Sequence, residues 1–235
     1  MNSQWQIDLY DGLNNAVDMQ DVLDVALKTV KPLGFDYAGW RTQLPIPISK
    51  HKTLALNTSE DEVLEKVSDG GYDESQGVQH CSRSIEPFYW LGNRSDSVFN
   101  KTPELWEEYY SLGRFGGWAQ SLIEKKSMFS LFWVDTSSEI LQEDIDNVYF
   151  KMQWISISVL SKMNQFNIKP NIILSEREKE VLRWSGDGKT ADEIGLILSL
   201  SHSTVNFHLR NAMHKLDAKN KTSAVVKAIY LNLLH

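Results

Sequence analysis

The chain of 235 residues has very little cysteine, since Cys81 is the only one. A single thiol cannot form a disulfide within the chain, which argues against a secreted, disulfide-stabilised fold. No apolar run approaches the roughly 20 residues that cross a bilayer. The first residues also lack the basic start and hydrophobic stretch of a secretory signal. These absences predict a cytoplasmic protein without membrane contact, in which Cys81 is a buried bystander rather than a redox sensor.

Signatures of catalysis and of cofactor binding are missing as well. The histidines, which do not form a metal-ligand spacing with Cys81, are His51, His80, His202, His208, His214 and His235. There is no Gly-x-Ser-x-Gly elbow, and Gly116-Gly117 is too short to be a phosphate-binding loop. We therefore expect no enzymatic activity, no metal and no cofactor.

Charge is unevenly distributed along the chain. The whole chain carries a net charge of −7, yet from Ser201 onward there are five Lys/Arg and one acidic residue, Asp217. Residues 171–235 hold nine Lys/Arg and seven Asp/Glu, so the acidic excess lies in the preceding part. This asymmetry is typical of an acidic regulatory domain attached to a module that binds nucleic acid.

The last sixty or so residues contain the signals of three successive helix starts. Ser175 is followed three residues later by Glu178, and Thr190 by Glu193, which are both capping boxes. Ser201 or Ser203 can cap the third helix. Because only Ser199–His202 separates the second helix from the third, the segment predicts a helix-turn-helix.

The third of these helices divides into faces. An inward stripe at intervals of three or four is formed by Val205, Leu209, Ala212 and Leu216. Asn206 and Arg210 lie one turn apart on another face, where Asn can pair with adenine and Arg with guanine. A solvated basic face is the simpler alternative, but the caps and the short turn favour DNA binding. The residues expected to contact DNA are Lys189, Thr190, Ser203, Thr204, Asn206, Arg210, Lys215 and Lys221.

This segment resembles the LuxR-type (GerE-like) helix-turn-helix family. The residues that carry the resemblance are Leu174, Arg177, Glu178, Val181, Leu182, Trp184, Gly188, Lys189, Thr190, Glu193, Ile194, Ile197, Leu198, Thr204, Val205, His208, Asn211, Lys215, Leu216 and Asn220. The resemblance implies a four-helix domain whose last helix, from about 222 to 234, serves in dimerisation. The apolar side of that helix would consist of Val225, Ala228, Ile229 and Leu233.

The preceding part alternates helical and extended patterns. Helices are predicted at about 5–16, 19–31, 60–68, 103–112 and 142–164, and strands at 37–41, 53–56, 118–123 and 128–133. This order predicts an antiparallel sheet with helices on both faces. The fold class is therefore α+β, with an α-β-α sensor domain at 1–165, a linker at 166–173 around Pro170, and an all-α helix-turn-helix domain at 174–235.

The N-terminal part is similar to the sensor domain of LuxR-type quorum-sensing regulators. The similarity rests on Leu33–Tyr37, Pro45, Pro47, Trp90, Trp106–Glu108 and Gly113–Trp118. It implies a cavity for an N-acyl homoserine lactone between the sheet and one helix layer. The matching wall positions are Trp90, Gly117 and Ser130, although each of them also has a plain packing explanation.

The family's lactone-binding residues are replaced in this chain. The Trp-x-x-x-Tyr pair falls at Val63 and Val67, or at Glu62 and Lys66 if the alignment slips by one. There is no Asp-Pro dipeptide, and the Asp position falls at Ser75 or Gln76. Loss of that carboxylate removes a charge-assisted contact worth roughly 1.5–3 kcal/mol.

Three interpretations of the sensor domain follow. It binds a small molecule other than an ordinary acyl homoserine lactone, which is the favoured one, or it binds a lactone through other contacts. In the third, its own side chains fill the cavity and a protein partner controls it. A response-regulator-like output protein is a further alternative, but the amphipathic start differs from the strand that opens a receiver domain. The sequence thus predicts a homodimeric transcription factor that binds an inverted repeat.

Overall fold

A computed structural model describes residues 3–44, 52–59, 62–125, 128–166 and 172–234. The chain divides into two compact units, Met1–Asn167 and Ile168–His235. Most of the expected linker, and the segment with Pro45 and Pro47, lie outside the described residues. Within the described ranges, no helix has both the length and the apolar character needed to cross a membrane.

The first unit alternates helices and strands in the predicted order. Its helices are α1 (Gln4–Asn15), α2 (Met19–Val30), α3 (Glu62–Ser68), α4 (Gln76–Cys81), α5 (Ser97–Lys101), α6 (Pro103–Ser111) and α7 (Gln142–Gln165). Its strands are β1 (Tyr37–Leu44), β2 (Lys52–Asn57), β3 (Phe88–Trp90), β4 (Gly117–Lys125) and β5 (Met128–Asp135). Sequence patterning missed α4, α5 and β3, which are too short to show a period.

The five strands form one antiparallel sheet in the order β2-β1-β5-β4-β3. On one face α1, α2 and α7 bury a core with the sheet, built from Leu9, Val22, Leu23, Ala26, Trp40, Trp118, Phe132, Ile145, Met152, Ile155 and Val159. On the other face a second core joins the sheet to α3, α4, α5 and α6 through Val63, Val67, Cys81, Trp90, Val98, Trp106, Tyr109, Leu131 and Trp133. The unit is therefore the expected α-β-α sandwich.

The second unit consists of α8 (Glu176–Gly186), α9 (Ala191–Leu198), α10 (His202–Lys215) and α11 (Lys221–Tyr230) in its described residues. Both predicted capping boxes are confirmed, because Ser175 accepts from the amide of Glu178 and Thr190 from that of Glu193. Ser201, rather than Ser203, caps α10. The hydroxyl and carboxylate partners satisfy amides that the first turns leave unpaired.

The turn between α9 and α10 is tight. Ser199 adopts a left-handed conformation with a φ of 58°. A Cβ atom at Gly195 would lie 2.7 Å from the carbonyl oxygen of Leu200, so only glycine lets the chain return this closely. The two helices are thereby fixed in a helix-turn-helix.

Candidate functional site

Helix α10 presents one polar face to solvent and one apolar face to the domain core. Val205 and Ala212 are fully buried in two neighbouring clusters of the domain core, and Leu209 packs against both clusters. Ser203 and Arg210 are exposed on the opposite face, and Asn206 is half-buried with its amide nitrogen 3.1 Å from the ring of His202. Since a recognition helix reads base edges with its exposed face, this arrangement suits insertion into a major groove.

Among the described residues, Arg210 has no carboxylate partner, whereas the three lysines expected to contact DNA, Lys189, Lys215 and Lys221, already contact other groups of the chain. Lys215 Nζ donates to Glu178 Oε2 at 2.8 Å, and Lys221 Nζ donates to the carbonyl oxygen of Lys189 at 3.1 Å. Lys189 itself lies 3.7 Å from Glu193. The contact of Lys215 ties α10 to α8, and the contact of Lys221 ties the start of α11 to the segment between α8 and α9. The sequence pattern indicated neither contact.

Two further expected contacts sit at helix starts. Thr190 caps α9 and is exposed. The Thr204 hydroxyl lies 2.7 Å from that of Ser201 in the first turn of α10. Both positions place a hydroxyl at a helix N-terminus, where a phosphate can approach.

Glu178 is buried and ties α8 to α10. Burial raises the pKa of its carboxyl, but the hydrogen bonds from Lys215 and from the Ser175 amide outweigh that effect, so the pKa lies below its ordinary value. Because the pKa of Glu178 is lower in the folded chain than in the unfolded chain, its ionised carboxylate stabilises the fold. This contribution is fully present above the pKa of glutamate in the unfolded chain, about 4.3. That contribution is lost as the pH falls through the folded pKa.

We therefore expect the helix-turn-helix domain to lose stability as the pH falls below about 4.3. Glu178→Gln should lower the stability at neutral pH and flatten the decline of stability at acid pH. Circular dichroism melts between pH 3 and 7 would measure both effects. Glu176→Gln is the control, because Glu176 makes a similar lysine pair but is exposed. Equal flattening in both variants would contradict the role given to Glu178.

The second core of the sandwich contains a cavity of about 70 Å³. Small-molecule sites in proteins typically measure roughly 300–1,000 Å³, so large side chains fill most of the space here. The lining residues are Arg41, Val63, Val67, Tyr72, Ser75, Gly77, Val78, Phe88, Trp90, Leu105, Trp106, Tyr109, Ala119, Leu131 and Trp133. The surface of the cavity is thus mainly apolar and aromatic.

One wall of the cavity is fixed by a buried ionic network. Asp135, which is 1% exposed, accepts a hydrogen bond from the Tyr109 hydroxyl at 2.6 Å and from Trp133 Nε1 at 3.1 Å. Arg114 Nη1 lies 3.7 Å from the same carboxylate, and its guanidinium covers the Tyr37 ring at 3.2 Å. Burial raises the pKa of Tyr109 well above its ordinary value, and the neighbouring Asp135 raises it further.

The structure brings some of the predicted ligand-binding residues together. Val63, Val67, Ser75 and Trp90 line the cavity. Ser75 also caps α4 by accepting from the amide of Val78. The slipped alternative, with Glu62 and Lys66 at the two positions of the family's aromatic pair, does not match the lining.

Three predicted positions lie elsewhere, each for a geometric reason. Successive residues of a strand face opposite sides of the sheet, so Ser130 points away from Leu131 and lies within 3.5 Å of Asn164 in α7. Gln76 turns its amide to the carbonyl of Val98. Gly117 does not line the cavity, but a Cβ there would lie 2.3 Å from Trp90, so it makes room for that ring.

Sequence reasoning missed Arg41, Trp106, Tyr109 and Trp133 as cavity residues. Arg41 gave one signal, since it is a charged residue inside a strand pattern, but the face that it takes follows only from the register of the sheet. The aromatic residues gave no such signal. Residues 88–133 contain so many aromatic side chains that the sequence does not show which of them face the cavity.

The single thiol is not a reactive site. Cys81 is fully buried at the end of α4, and burial raises its pKa to about 12. Because the thiolate is the reactive form, the thiol stays inert at neutral pH, as expected for a bystander.

An α-β-α domain with an apolar cavity, joined to a helix-turn-helix domain, defines a two-domain transcriptional regulator. Residues 172–228 match the bacterial regulatory proteins of the luxR family, and residues 18–163 match the autoinducer-binding domain. The chain therefore belongs to the LuxR-type quorum-sensing transcriptional regulators, a family of DNA-binding proteins without enzymatic activity.

Relatives are similar along nearly their whole length. The transcriptional activator protein AnoR of Acinetobacter nosocomialis is 35% identical, over 98% of this chain and 99% of its own. The quorum-sensing regulator RhlR of Pseudomonas aeruginosa is 30% identical, over 96% of both chains.

Solved structures resemble this one too. The crystal structure of Escherichia coli SdiA is 25% identical and superposes with a TM-score of 0.80, covering 98% of both chains. SdiA in complex with octanoyl-rac-glycerol superposes with a TM-score of 0.81, covering 100% of this chain and 98% of that one.

Proposed function

We propose that the protein is a homodimeric, ligand-controlled regulator that works in the cytoplasm and reads an inverted-repeat operator. The exposed face of α10, with Asn206 and Arg210, is the observation that carries the DNA-reading role. Two-fold symmetry implies half-sites about one or two helical turns apart, at ~34 Å per turn. Sequence-specific binding that weakens steeply with salt is the expected result of a mobility-shift assay, and absence of binding at low salt would contradict it.

The dimer proposal is supported by an exposed apolar strip on α7. Phe150, Trp154 and Ile157 recur at intervals of four and three, and they are 82%, 48% and 42% exposed. On the last helix, by contrast, Val225 and Ala228 are buried in their own domain and Leu233 lies beyond the helix end, so that Ile229, 52% exposed, is the residue of the expected apolar side that remains available on the helix. We therefore assign subunit pairing chiefly to the strip on α7.

Phe150→Asp should convert the dimer into a monomer, because a charge would enter the apolar contact. Its stability as a folded chain should change by less than about 0.5 kcal/mol, since the position is exposed. Asn147→Asp adds the same charge to an exposed, polar position of α7 and is the matched control. Sedimentation of both variants decides the point, and a dimeric Phe150→Asp protein would exclude this surface.

The ligand is proposed to be a small molecule other than an ordinary acyl homoserine lactone. The amide of such a lactone needs an acceptor, and Ser75 stands where the family has a carboxylate, while Val63 stands where it has an indole. Each buried polar group left unpaired costs about 1–3 kcal/mol. That SdiA has been crystallised with octanoyl-rac-glycerol supports an acyl ligand without a lactone ring in this architecture.

We expect calorimetric titration with lactones of several chain lengths to give no nanomolar affinity. Ser75→Asp should restore affinity by about tenfold or more, because a carboxylate would again accept the amide hydrogen. Aspartate is also a good N-cap, so α4 should persist. Ser75→Asn is the control of equal size without charge. Nanomolar binding of any lactone to the natural chain would restore the usual ligand of the family.

A ligand-independent regulator controlled by a protein partner is the second candidate. The small volume of the cavity favours it, since about 70 Å³ leaves little free space. Mass spectrometry of molecules extracted from purified dimer separates the two candidates. A stoichiometric small molecule supports ligand control, and a clean extract from active protein supports the partner.

A further inference from the structure

The cavity contains a buried guanidinium whose hydrogen bonds are incomplete. Arg41 is 2% exposed, and its Nη2 atom donates to Thr53 Oγ1 at 3.1 Å and to Asp73 Oδ1 at 2.5 Å. The Nε and Nη1 atoms are also buried, and neither has a hydrogen-bond partner within the described residues. Buried donors are normally paired, so an arginine on a cavity wall with two unpaired nitrogen atoms points to an acceptor supplied from outside the chain.

Two indoles add to this surplus of donors. The Nε1 atoms of Trp90 and Trp106 are buried without a partner in the part of the chain that the structure describes. Both rings line the same cavity, with their centroids 5.8 Å apart. Three residues that line the cavity, from β1, β3 and α6, therefore carry buried donors without a partner among the described residues.

The acceptors around the cavity are largely in use. Asp73 accepts from Arg41, and Asp135 accepts from Tyr109 and Trp133. Ser75 Oγ accepts from the amide of Val78 at 3.3 Å. Among the described residues, both carboxylates beside the cavity already accept hydrogen bonds from the chain, so a ligand amide N–H would have to share one of them.

We propose that the cavity recognises an uncharged ligand rich in acceptors and poor in donors, an ester or ketone on an apolar body, whose carbonyl oxygen binds at Arg41. The proposal rests on the proposed ligand-controlled function and narrows the chemical class of its ligand. Asp73 already balances the charge of Arg41, so a carboxylate ligand would leave an uncompensated charge in an apolar site. The carbonyl oxygen accepts from Arg41 without adding charge.

The size of the cavity adds a condition on binding. About 70 Å³ holds a carbonyl-sized head group. A longer apolar body requires lining side chains to move, so binding would favour a sensor-domain conformation with an enlarged cavity.

Three probes with one eight-carbon acyl chain test the proposal: ethyl octanoate, N-ethyloctanamide and sodium octanoate. Calorimetry on the full-length protein should show the ester binding about tenfold or more tightly than the amide, whose buried N–H would have to share an acceptor, and more tightly than the carboxylate. Equal affinities, or tightest binding of octanoate, would overturn the proposal.

Matched variants assign the preference to the cavity. Arg41→Met should abolish the preference for the ester, whereas Arg94→Met, at an exposed arginine of the same domain, should leave it unchanged. Trp106→Phe keeps an aromatic ring but removes one donor, and it should weaken ester binding even if Arg41→Met fails to fold. An unchanged preference in Arg41→Met or unchanged ester affinity in Trp106→Phe would overturn the assignment. If no probe binds while the protein still selects DNA, the ligand class is wrong and the regulator function stands.

Discussion

Replacing Asp135 with alanine is expected to destabilise the N-terminal domain by about 3–5 kcal/mol, the usual cost of removing one member of a buried ion pair. The substitution leaves the Arg114 guanidinium buried at 3% exposure without its carboxylate. It also removes the acceptor of the Tyr109 and Trp133 hydrogen bonds. The cavity wall should therefore loosen together with the fold.

Urea unfolding followed by tryptophan fluorescence measures this effect, because seven of the eight tryptophans lie in Met1–Asn167. Glu107→Ala is the matched control, since Glu107 pairs with Arg94 on the surface at 2.7 Å. Exposed pairs contribute only about 0–1 kcal/mol. If both variants lost less than about 1 kcal/mol, the buried network would have no structural importance.

Replacing Arg210 with alanine is expected to reduce operator affinity by about 1–3 kcal/mol, up to roughly a hundredfold, and to relax preference at one base pair. The side chain is exposed on α10 and, among the described residues, is not held by a carboxylate. Its forked donors suit the two acceptors of guanine. Arg210→Lys keeps the charge without the fork and should recover only part of the loss.

Lys219→Ala provides the contrast, because Lys219 is exposed just beyond α10, and we expect this basic end to meet phosphates. It should weaken binding to all sequences alike and reduce the salt slope by about one. Binding measured on the operator and on single-base variants distinguishes the two effects. An Arg210→Ala protein with unchanged base preference would show that this face of α10 does not read bases.

The helix-turn-helix domain could be predicted closely because its signals are local. Ser175 with Glu178, and Thr190 with Glu193, define helix starts within four residues, and the structure contains both pairs as hydrogen-bonded caps. The inward stripe of α10 follows from the helical period alone. What the sequence could not show is that Lys215 pairs with Glu178, which lies 37 residues away.

The cavity was harder to predict, because its walls come from distant elements. Strand alternation places Arg41 on the cavity face and Ser130 on the other, but this follows only when the register of β1 and β5 is known. The family resemblance located Val63, Val67, Ser75 and Trp90. The Asp135 network joins β5 to α6 and to Arg114, and no spacing in the sequence indicates it.

Selection of DNA from a random duplex pool by the purified full-length protein tests the central claim most directly. A dimer with two α10 helices should enrich an inverted repeat with half-sites about 10 or 20 base pairs apart. The Arg210→Ala variant should enrich sites with the same spacing, but the base preference should be relaxed at one position of each half-site. Failure to enrich any sequence, or enrichment of a single site without symmetry, would contradict a dimeric regulator that reads DNA through α10.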